Sequence, residues 1–374
     1  MVINFVMHRF RTGGVERVFI NAARTLSAYH VRLIILNDDI DSIQAEIPPN
    51  VEICKLGGIR LVRWLTCLRR WPIFASLAAG LVLILQALVV RLSSRFEAAY
   101  TVNFSDTIST LLVASMGKGR KISWVHINPE MLVQSRYRRV YEFLYVRCYR
   151  IICICCDQRE LLLSIMAGLV KDKIEVVYNS IDCCQIDNKK EQRIVFPYAD
   201  FLLMVARLDL RSKDFFTVIR AFKELKHSGV YHKLVLLGDG PDKERIEEFV
   251  GSEGVSSEVI FAGNDSNPYK WMAKASAFIF SSRSEGFGMV LLEAMYCKVP
   301  VVATKCNVGP REITSDGRFG RLVRVGNHVE MKAALLDVLE SRTTDSYLEK
   351  AKNRAREFDI TKNSKLVEIF KKYA

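Results

Sequence analysis

The stretch SRSEGFGMVLLEAM, Ser282–Met295, sets two carboxylates, Glu285 and Glu293, eight positions apart around a Gly-Phe-Gly turn that runs into an apolar helical pattern. The β-rich run AFIFSS (277–282) precedes it, so the whole reads as strand, loop and helix, with the helix starting near Gly288. Glu285 then lies in the loop and Glu293 more than one turn into the helix, while Gly286, Phe287, Gly288 and Met289 offer backbone N–H groups between them. Such amides suit phosphate, which a carboxylate cannot bind, whereas carboxylates accept hydrogen bonds from sugar hydroxyls. A ligand carrying both, such as a nucleotide sugar, accounts for the alternation. A capped helix with an incidental Glu accounts for either carboxylate alone but poorly for the set.

The same rhythm extends in both directions. VINFV, VRLIIL, AAYTVN, KISWVH, RIICIC and IEVVY alternate with longer helical patterns in the first half, and FLLMVA, KLVLLG, VIFAG, AFIFSS, PVVAT and GRLVR do so in the second. Short apolar runs alternating with helices predict parallel sheets of α/β class. Between the halves, NSIDCCQIDNKKEQRIVFPYAD (179–200) is polar and charged. With 374 residues, half of them apolar, the chain is long enough for two domains. The expected boundaries are 1–180, a linker at 181–199, a second domain at 200–345, and a C-terminal helix at 346–374 that packs back toward the first domain. Two doubly wound domains facing across a cleft is the economical architecture.

In such sheets ligands sit beyond the carboxyl ends of the strands. After the first strand comes RFRTGGVERVFINAARTLS, where Gly13 and Gly14 leave free amides at a helix start, a natural anion seat. The plain alternative is a Gly-Gly loop with Glu16 complementing the helix dipole. After FLLMVA comes RLDLRSKDFF, with Arg207 at the strand end and Lys213 six residues on. A pair of cations flanking a strand-end loop is what a diphosphate leaving group requires, although solvated charge at a helix start is common. The loop DGPDKERIEEF is explained by its turn alone.

Together these residues resemble the retaining glycosyltransferases of family 4, whose GT-B fold consists of two facing Rossmann-like domains. The resemblance covers nearly the whole chain. It rests on the E-x7-E motif, Glu285 to Glu293 in EGFGMVLLE, with ARLDLRSK, LLGDGPDKERIE, VIFAGN and YNSID in support. It implies that Arg207 and Lys213 hold the donor diphosphate, that Glu293 binds the ribose, and that Glu285 lies by the donor sugar. It places Gly263, Gly286, Phe287, Gly288 and Met289 among the donor-binding residues. GGVER resembles the family's N-terminal glycine loop, and SWVHINPEM puts His126 where members have a histidine beside the reaction centre. The plain alternative is a histidine at the end of KISWVH that caps the following helix or satisfies a backbone carbonyl, and the cleft role is favoured over it.

Composition narrows the surroundings. MVINFV opens as a strand without the pattern of a secretory leader, so a cytoplasmic location is expected. The ten cysteines lie mostly inside apolar runs and read as reduced thiols. In CICC (153–156), Cys153 and Cys155 would share one strand face and Cys156 the other, which argues against a metal site. No metal or other cofactor is expected, since the two cations already supply charge to the phosphates, and NDD (37–39) reads as a solvated loop. Residues 1–180 carry 23 Lys and Arg against 14 Asp and Glu, most of the chain's +13. No helix-turn-helix, zinc finger or RNP pattern accompanies this charge, which argues for an anionic membrane surface over nucleic acid. The run WPIFASLAAGLVLILQALVV (71–90) is long enough to cross a bilayer core of ~30 Å. A single crossing, however, would put strands of one sheet on opposite sides. Arg60, Arg63, Arg69, Arg70, Arg91 and Arg95 flank it with no acid between 60 and 95, as expected of a helix resting on anionic headgroups. The alternative is a helix buried in the first domain.

The expected function is therefore a retaining, metal-independent transferase. It would move a hexose or N-acetylhexosamine from a nucleotide sugar, UDP-linked, to a lipid-linked glycan at the cytoplasmic face of the inner membrane, as in O-antigen or capsule assembly. Two rivals stand beside it: a soluble GT-B enzyme making a small glycoside, and a catalytically idle GT-B scaffold that binds partners.

Overall fold

The computed structural model describes residues 1–11, 13–37, 39–57, 72–135, 137–166, 168–194, 200–340 and 344–371. They form two compact units, Met1–Ser180 with Ile360–Ala374, and Ile181–Asp359.

The first unit runs β1 (Val2–Met7), α1 (Gly14–Thr25), β2 (His30–Ile35), β3 (Val51–Lys55), α2 (Pro72–Leu92), β4 (Tyr100–Asn103), α3 (Ile108–Met116), β5 (Arg120–Val125), α4 (Glu130–Gln134), α5 (Arg138–Arg147), β6 (Arg150–Cys153), α6 (Cys156–Ile165) and β7 (Ile174–Val176). Its seven strands are all parallel, in the order β3-β2-β1-β4-β5-β6-β7. Both sheet faces are covered, which is why VINFVM is apolar almost throughout instead of alternating. Edge-to-face contacts of Phe5 with Phe19 and Phe104, and of Phe104 with Trp124, with centroids 5.0–5.4 Å apart, tie α1 to the strands.

The second unit runs α7 (Cys183–Lys190), β8 (Phe201–Val205), α8 (Phe215–His227), β9 (Lys233–Leu237), α9 (Lys243–Ser252), β10 (Val259–Gly263), α10 (Tyr269–Met272), β11 (Ala277–Phe280), α11 (Met289–Tyr296), β12 (Val301–Thr304), α12 (Pro310–Ile313), β13 (Arg321–Val323), α13 (His328–Glu340) and α14 (Asp345–Arg356). The sheet order is β10-β9-β8-β11-β12-β13, again all parallel. One core of Leu202, Met204, Phe215, Phe222, Leu236, Ile279 and their neighbours fills it.

Three expectations are corrected. The segment 181–199 is not simply a linker: Asp182 caps α7 by accepting the Gln185 N–H at 2.9 Å, and α7 belongs to the second unit. Its residues 195–199 lie outside the described ones. The C-terminal stretch is not one helix. α14 packs on α11 in the second unit, and the chain then passes to α15 (Ser364–Lys371) in the first unit, where Phe370 meets Tyr100 at 5.1 Å. Lastly, RIICIC leaves the sheet at Cys153, and Cys155 caps α6 by accepting the Gln158 N–H.

The long apolar run is buried along one side only. α2 buries Ala78, Val82, Gln86, Ala87 and Val90, a stripe at helical spacing, with Gln86 donating to the Leu36 carbonyl at 2.7 Å. Its opposite face leaves Leu81, Ile84, Leu88 and Leu92 between 40% and 74% exposed. Among the described residues, no helix is long and apolar enough to cross a membrane. Arg60, Arg63, Arg69 and Arg70 lie outside the described residues. Arg91 is exposed, and Arg95 pairs with Glu52 at 2.9 Å.

Candidate active site

In a doubly wound sheet the strand order reverses at one point, and ligands bind outside the carboxyl ends of the strands there. In the second unit that point falls between β8 and β11. The loop after β8 carries Arg207 and Lys213, and the loop after β11 carries Ser282 and Glu285. Backbone bonds zip the two loops together. Lys213 and Ser282 form an isolated antiparallel bridge, Asp214 N–H donates to the Ser281 carbonyl at 3.2 Å, and Arg283 N–H donates to the Ser212 carbonyl at 2.8 Å. Asp214, almost fully buried, caps α8 and accepts from Arg283 at 3.2 Å.

This scaffold brings Lys213 and Glu285, 72 residues apart in sequence, into a half-buried ion pair. The Ser282 hydroxyl sits between them, 2.6 Å from Glu285 Oε1 and 3.1 Å from Lys213 Nζ. Thr304 holds the serine in turn, accepting from Ser282 N–H and donating to its carbonyl, both at 2.8 Å. Arg207 stands exposed at the end of β8. Its charge helps hold the Asp209 carboxyl below the usual carboxylate range, an effect owed chiefly to hydrogen bonds from Arg211.

Glu293 lies apart from this group. It is buried in α11, where Tyr269 donates to Oε1 at 3.3 Å. Gly288, the residue before α11, has φ 105°, the left-handed region that favours glycine. The carbonyl of Phe287 is approached so closely by Gly309 (φ 98°) that a Cβ there would lie 1.9 Å from it. Gly286 and Met289 are half-buried beside these residues, and Gly263 ends β10 at φ 70° with open space around its Cα.

The first unit has its own reversal between β1 and β4, where the glycine loop and the loop after Asn103 emerge. Gly13 is extended at the start of α1, and Glu16 folds back so far that a Cβ on Gly13 would meet its Oε2 at 2.7 Å. Burial pushes the Glu16 carboxyl up, against hydrogen bonds from the Glu16 and Arg11 amides. The helix start is thus occupied by the chain's own carboxylate. Gly14 opens α1 with nothing within 4 Å of a Cβ.

His126, just after β5, is buried between Phe104 at 4.3 Å and a stacked Trp124 at 5.7 Å. Neither ring nitrogen has a hydrogen-bond partner, and burial lowers its pKa to about 3. It caps nothing through its side chain. Its backbone N–H donates to Asp106 Oδ2 at 2.8 Å, and the Ile127 amide supports the same carboxylate. Asp106 Oδ1 has no partner, and burial raises this carboxyl to about 7.

Ser282, Thr304, Tyr269 and Asp106 were not singled out from the sequence. Ser282 lies inside the opening motif three residues before Glu285, and that spacing was the available signal. The other three act through folding contacts 20 to 24 residues away, which no local pattern reports. Among the described residues, no group of His, Cys, Asp or Glu is arranged to hold a metal ion.

Two parallel doubly wound units in one chain make this a GT-B fold. HepE of Anabaena, solved in complex with UDP and glucose, has the same fold with a TM-score of 0.77 at 19% identity, over 100% of each chain. Residues 185–358 match the family of glycosyl transferases group 1. A similar protein is N-acetylgalactosamine-N,N'-diacetylbacillosaminyl-diphospho-undecaprenol 4-alpha-N-acetylgalactosaminyltransferase of Campylobacter jejuni subsp. jejuni, 39% identical over 191 residues, 51% of this chain and 51% of that one. The chain thus matches about half the length of that relative. An uncharacterized glycosyltransferase of Methanocaldococcus jannaschii is 24% identical over 322 residues, 73% of this chain and 79% of the other.

Proposed function

We propose that the chain is a retaining glycosyltransferase that moves a hexose or N-acetylhexosamine from a UDP-sugar to a lipid-linked glycan. The observation that carries this reading is the Lys213–Ser282–Glu285 cluster at the β8/β11 reversal. It sets a cation for phosphate beside a carboxylate for sugar hydroxyls. Arg207 and Lys213 take the diphosphate, Glu285 the sugar and Glu293 the ribose, while Gly263, Gly286, Phe287, Gly288 and Met289 shape the donor seat. In the first unit, which takes the acceptor, the unpartnered His126 ring is given to the reaction centre. Gly13 and Gly14 offer amides to an anion once Glu16 swings away.

In the reaction the bond from the anomeric carbon to the diphosphate breaks while the acceptor oxygen bonds to that carbon on the same face. The acceptor proton leaves with the departing phosphate oxygen. Negative charge grows on the leaving group, so cations placed on it lower the barrier more than they stabilise the bound donor. Arg207 and Lys213 fill that role without a metal ion.

The acceptor class is supported by the Campylobacter relative, whose name specifies a diphospho-undecaprenol glycan. It is supported too by the exposed apolar face of α2 with Arg91 beside it, a surface suited to peripheral docking on the cytoplasmic leaflet. The test is a panel of nucleotide sugars against an undecaprenyl-diphosphate glycan, with the product's anomeric configuration read by NMR. An inverted product would overturn retention. Transfer to small alcohols with none to the lipid-linked glycan would favour the small-glycoside enzyme, and neither transfer nor donor hydrolysis would favour the idle scaffold.

A further inference from the structure

The helix α5 has a face that the described residues leave uncovered. Tyr141, Leu144 and Tyr145 are buried on one side of it, while Arg139, Val140, Phe143 and Arg147 turn outward, with Phe143 54% exposed. Met131 on α4, which packs on α5, is 56% exposed, and Tyr137 just before α5 is exposed as well. The Arg147 guanidinium lies 3.5 Å over the Phe143 ring and bonds the Phe143 carbonyl at 3.1 Å, so a cation rides on the rim of the apolar stripe. The one acid of α5, Glu142, is already paired with Arg138 at 2.9 Å, leaving the outward charge positive.

The topology puts this stripe on the same layer as that of α2. The connections β3 to β4, β4 to β5 and β5 to β6 all step in one direction along the sheet, so right-handed crossovers place α2, α3 and α5 on one face. α2 packs on α3, and α3 on α5. α1 joins β1 to β2 in the other direction and lies on the opposite face, beside α15. The exposed stripes Leu81–Ile84–Leu88–Leu92 and Val140–Phe143 therefore flank α3, about 20 Å apart by ordinary helix spacing. Two apolar stripes rimmed by arginine on one layer fit a broad, flat, anionic partner, and an anionic bilayer has that chemistry.

We infer that α5 is a second lipid contact and that the first unit docks on anionic lipid through α2 and α5 together. This rests on the reading that α2 docks. The experiment is co-sedimentation of the full chain with phosphatidylglycerol-containing vesicles and with neutral phosphatidylcholine vesicles, at low and high salt. Three variants are compared with wild type: V140S/F143S, R139Q/R147Q, and L81S/I84S/L88S on α2. Binding of V140S/F143S should weaken about tenfold. R139Q/R147Q should lose about fivefold per charge on anionic vesicles and nothing on neutral ones. Melting temperature and the stabilisation given by UDP should stay at wild-type values, since all four α5 side chains are exposed. If wild type binds and the α2 variant is released while both α5 variants bind as wild type does, the α5 contact is overturned and α2 docking stands. If wild type ignores anionic vesicles at low salt, both readings fall.

Discussion

Ser282 Oγ lies 2.6 Å from Glu285 Oε1 and donates its hydrogen to that carboxylate, with its own lone pairs left to Lys213 Nζ at 3.1 Å. The serine thus fixes where both charged groups point. Removing the hydroxyl in Ser282→Ala leaves the ion pair intact but frees its orientation. Turnover should fall about tenfold, while the cost in stability is about 1 kcal/mol, the worth of one hydrogen bond. Donor-hydrolysis kinetics set against a thermal melt separate the two; an unchanged kcat would remove the serine from the site.

The two cations should behave differently because their surroundings differ. Arg207 is exposed, so Arg207→Ala should cost turnover about 10²-fold with almost no effect on melting. Lys213 is paired with half-buried Glu285, so Lys213→Ala should cost as much turnover and also lower the melting temperature, by leaving that carboxylate with the Ser282 hydroxyl but no cation. Near-normal turnover in both would sink the diphosphate assignment. If Arg207 and Lys213 carry the leaving-group charge as proposed, the wild-type rate should survive treatment with EDTA. A rate that then requires added Mg²⁺ or Mn²⁺ would show that the phosphate charge is met another way.

Asp106 and His126 give opposing pH signatures. Burial raises the Asp106 carboxyl from 3.8 to about 7 and lowers the His126 imidazole from 6.5 to about 3. Between about pH 4 and 6.5 the folded chain holds a proton on Asp106 and none on His126, and the unfolded chain does the reverse. A group that binds its proton more tightly when folded loses stability as pH rises, and one that binds it less tightly gains, so the two slopes cancel. Asp106→Asn, which keeps an oxygen for the His126 amide, removes the falling contribution, and stability should then rise from pH 4 to 6.5. His126→Gln should show the converse, a fall from pH 4 to about 7. Each slope is bounded by about 1.4 kcal/mol per pH unit, readable by chemical denaturation across that range. Parallel profiles for wild type and Asp106→Asn would refute the assignment.

Much of this was legible in the sequence because the evidence for it is periodic. Runs such as FLLMVA and KLVLLG marked buried parallel strands, and the break after GFG marked the start of α11 at Met289. The split of the C-terminal segment was not legible, since α14 and α15 are both amphipathic and their partners, α11 and Tyr100 among them, are set by tertiary packing. The same holds within the site. Glu285 and Lys213 stood out as charged residues in the loops that follow two strands, but their pairing depends on β8 and β11 being neighbours, a fact of sheet order. Glu16 shows the limit most plainly. Its place over Gly13 follows from one rotamer, and sequence alone left an anion seat and a capped helix equally available.

The loop carrying Glu285 also depends on a glycine outside the motif, in the segment that follows β12. Gly309 has φ 98°, and a Cβ built there would stand 1.9 Å from the Phe287 carbonyl oxygen, far inside contact distance. Gly309→Ala therefore imposes two penalties, a left-handed backbone on an alanine and the displacement of the Phe287 peptide. Gly326 offers a control for the first penalty alone, with φ 78° and nothing within 4 Å of its Cβ. Gly326→Ala should cost about 1 kcal/mol and leave donor binding unchanged. Gly309→Ala should cost about 3 kcal/mol or more and weaken binding of UDP, because moving Phe287 moves the amides between Glu285 and Glu293. The comparison needs only melting curves of the two variants with and without UDP. If Gly309→Ala melts with Gly326→Ala and keeps the wild-type UDP shift, the loop tolerates the displacement, and its amides have no part in seating the donor.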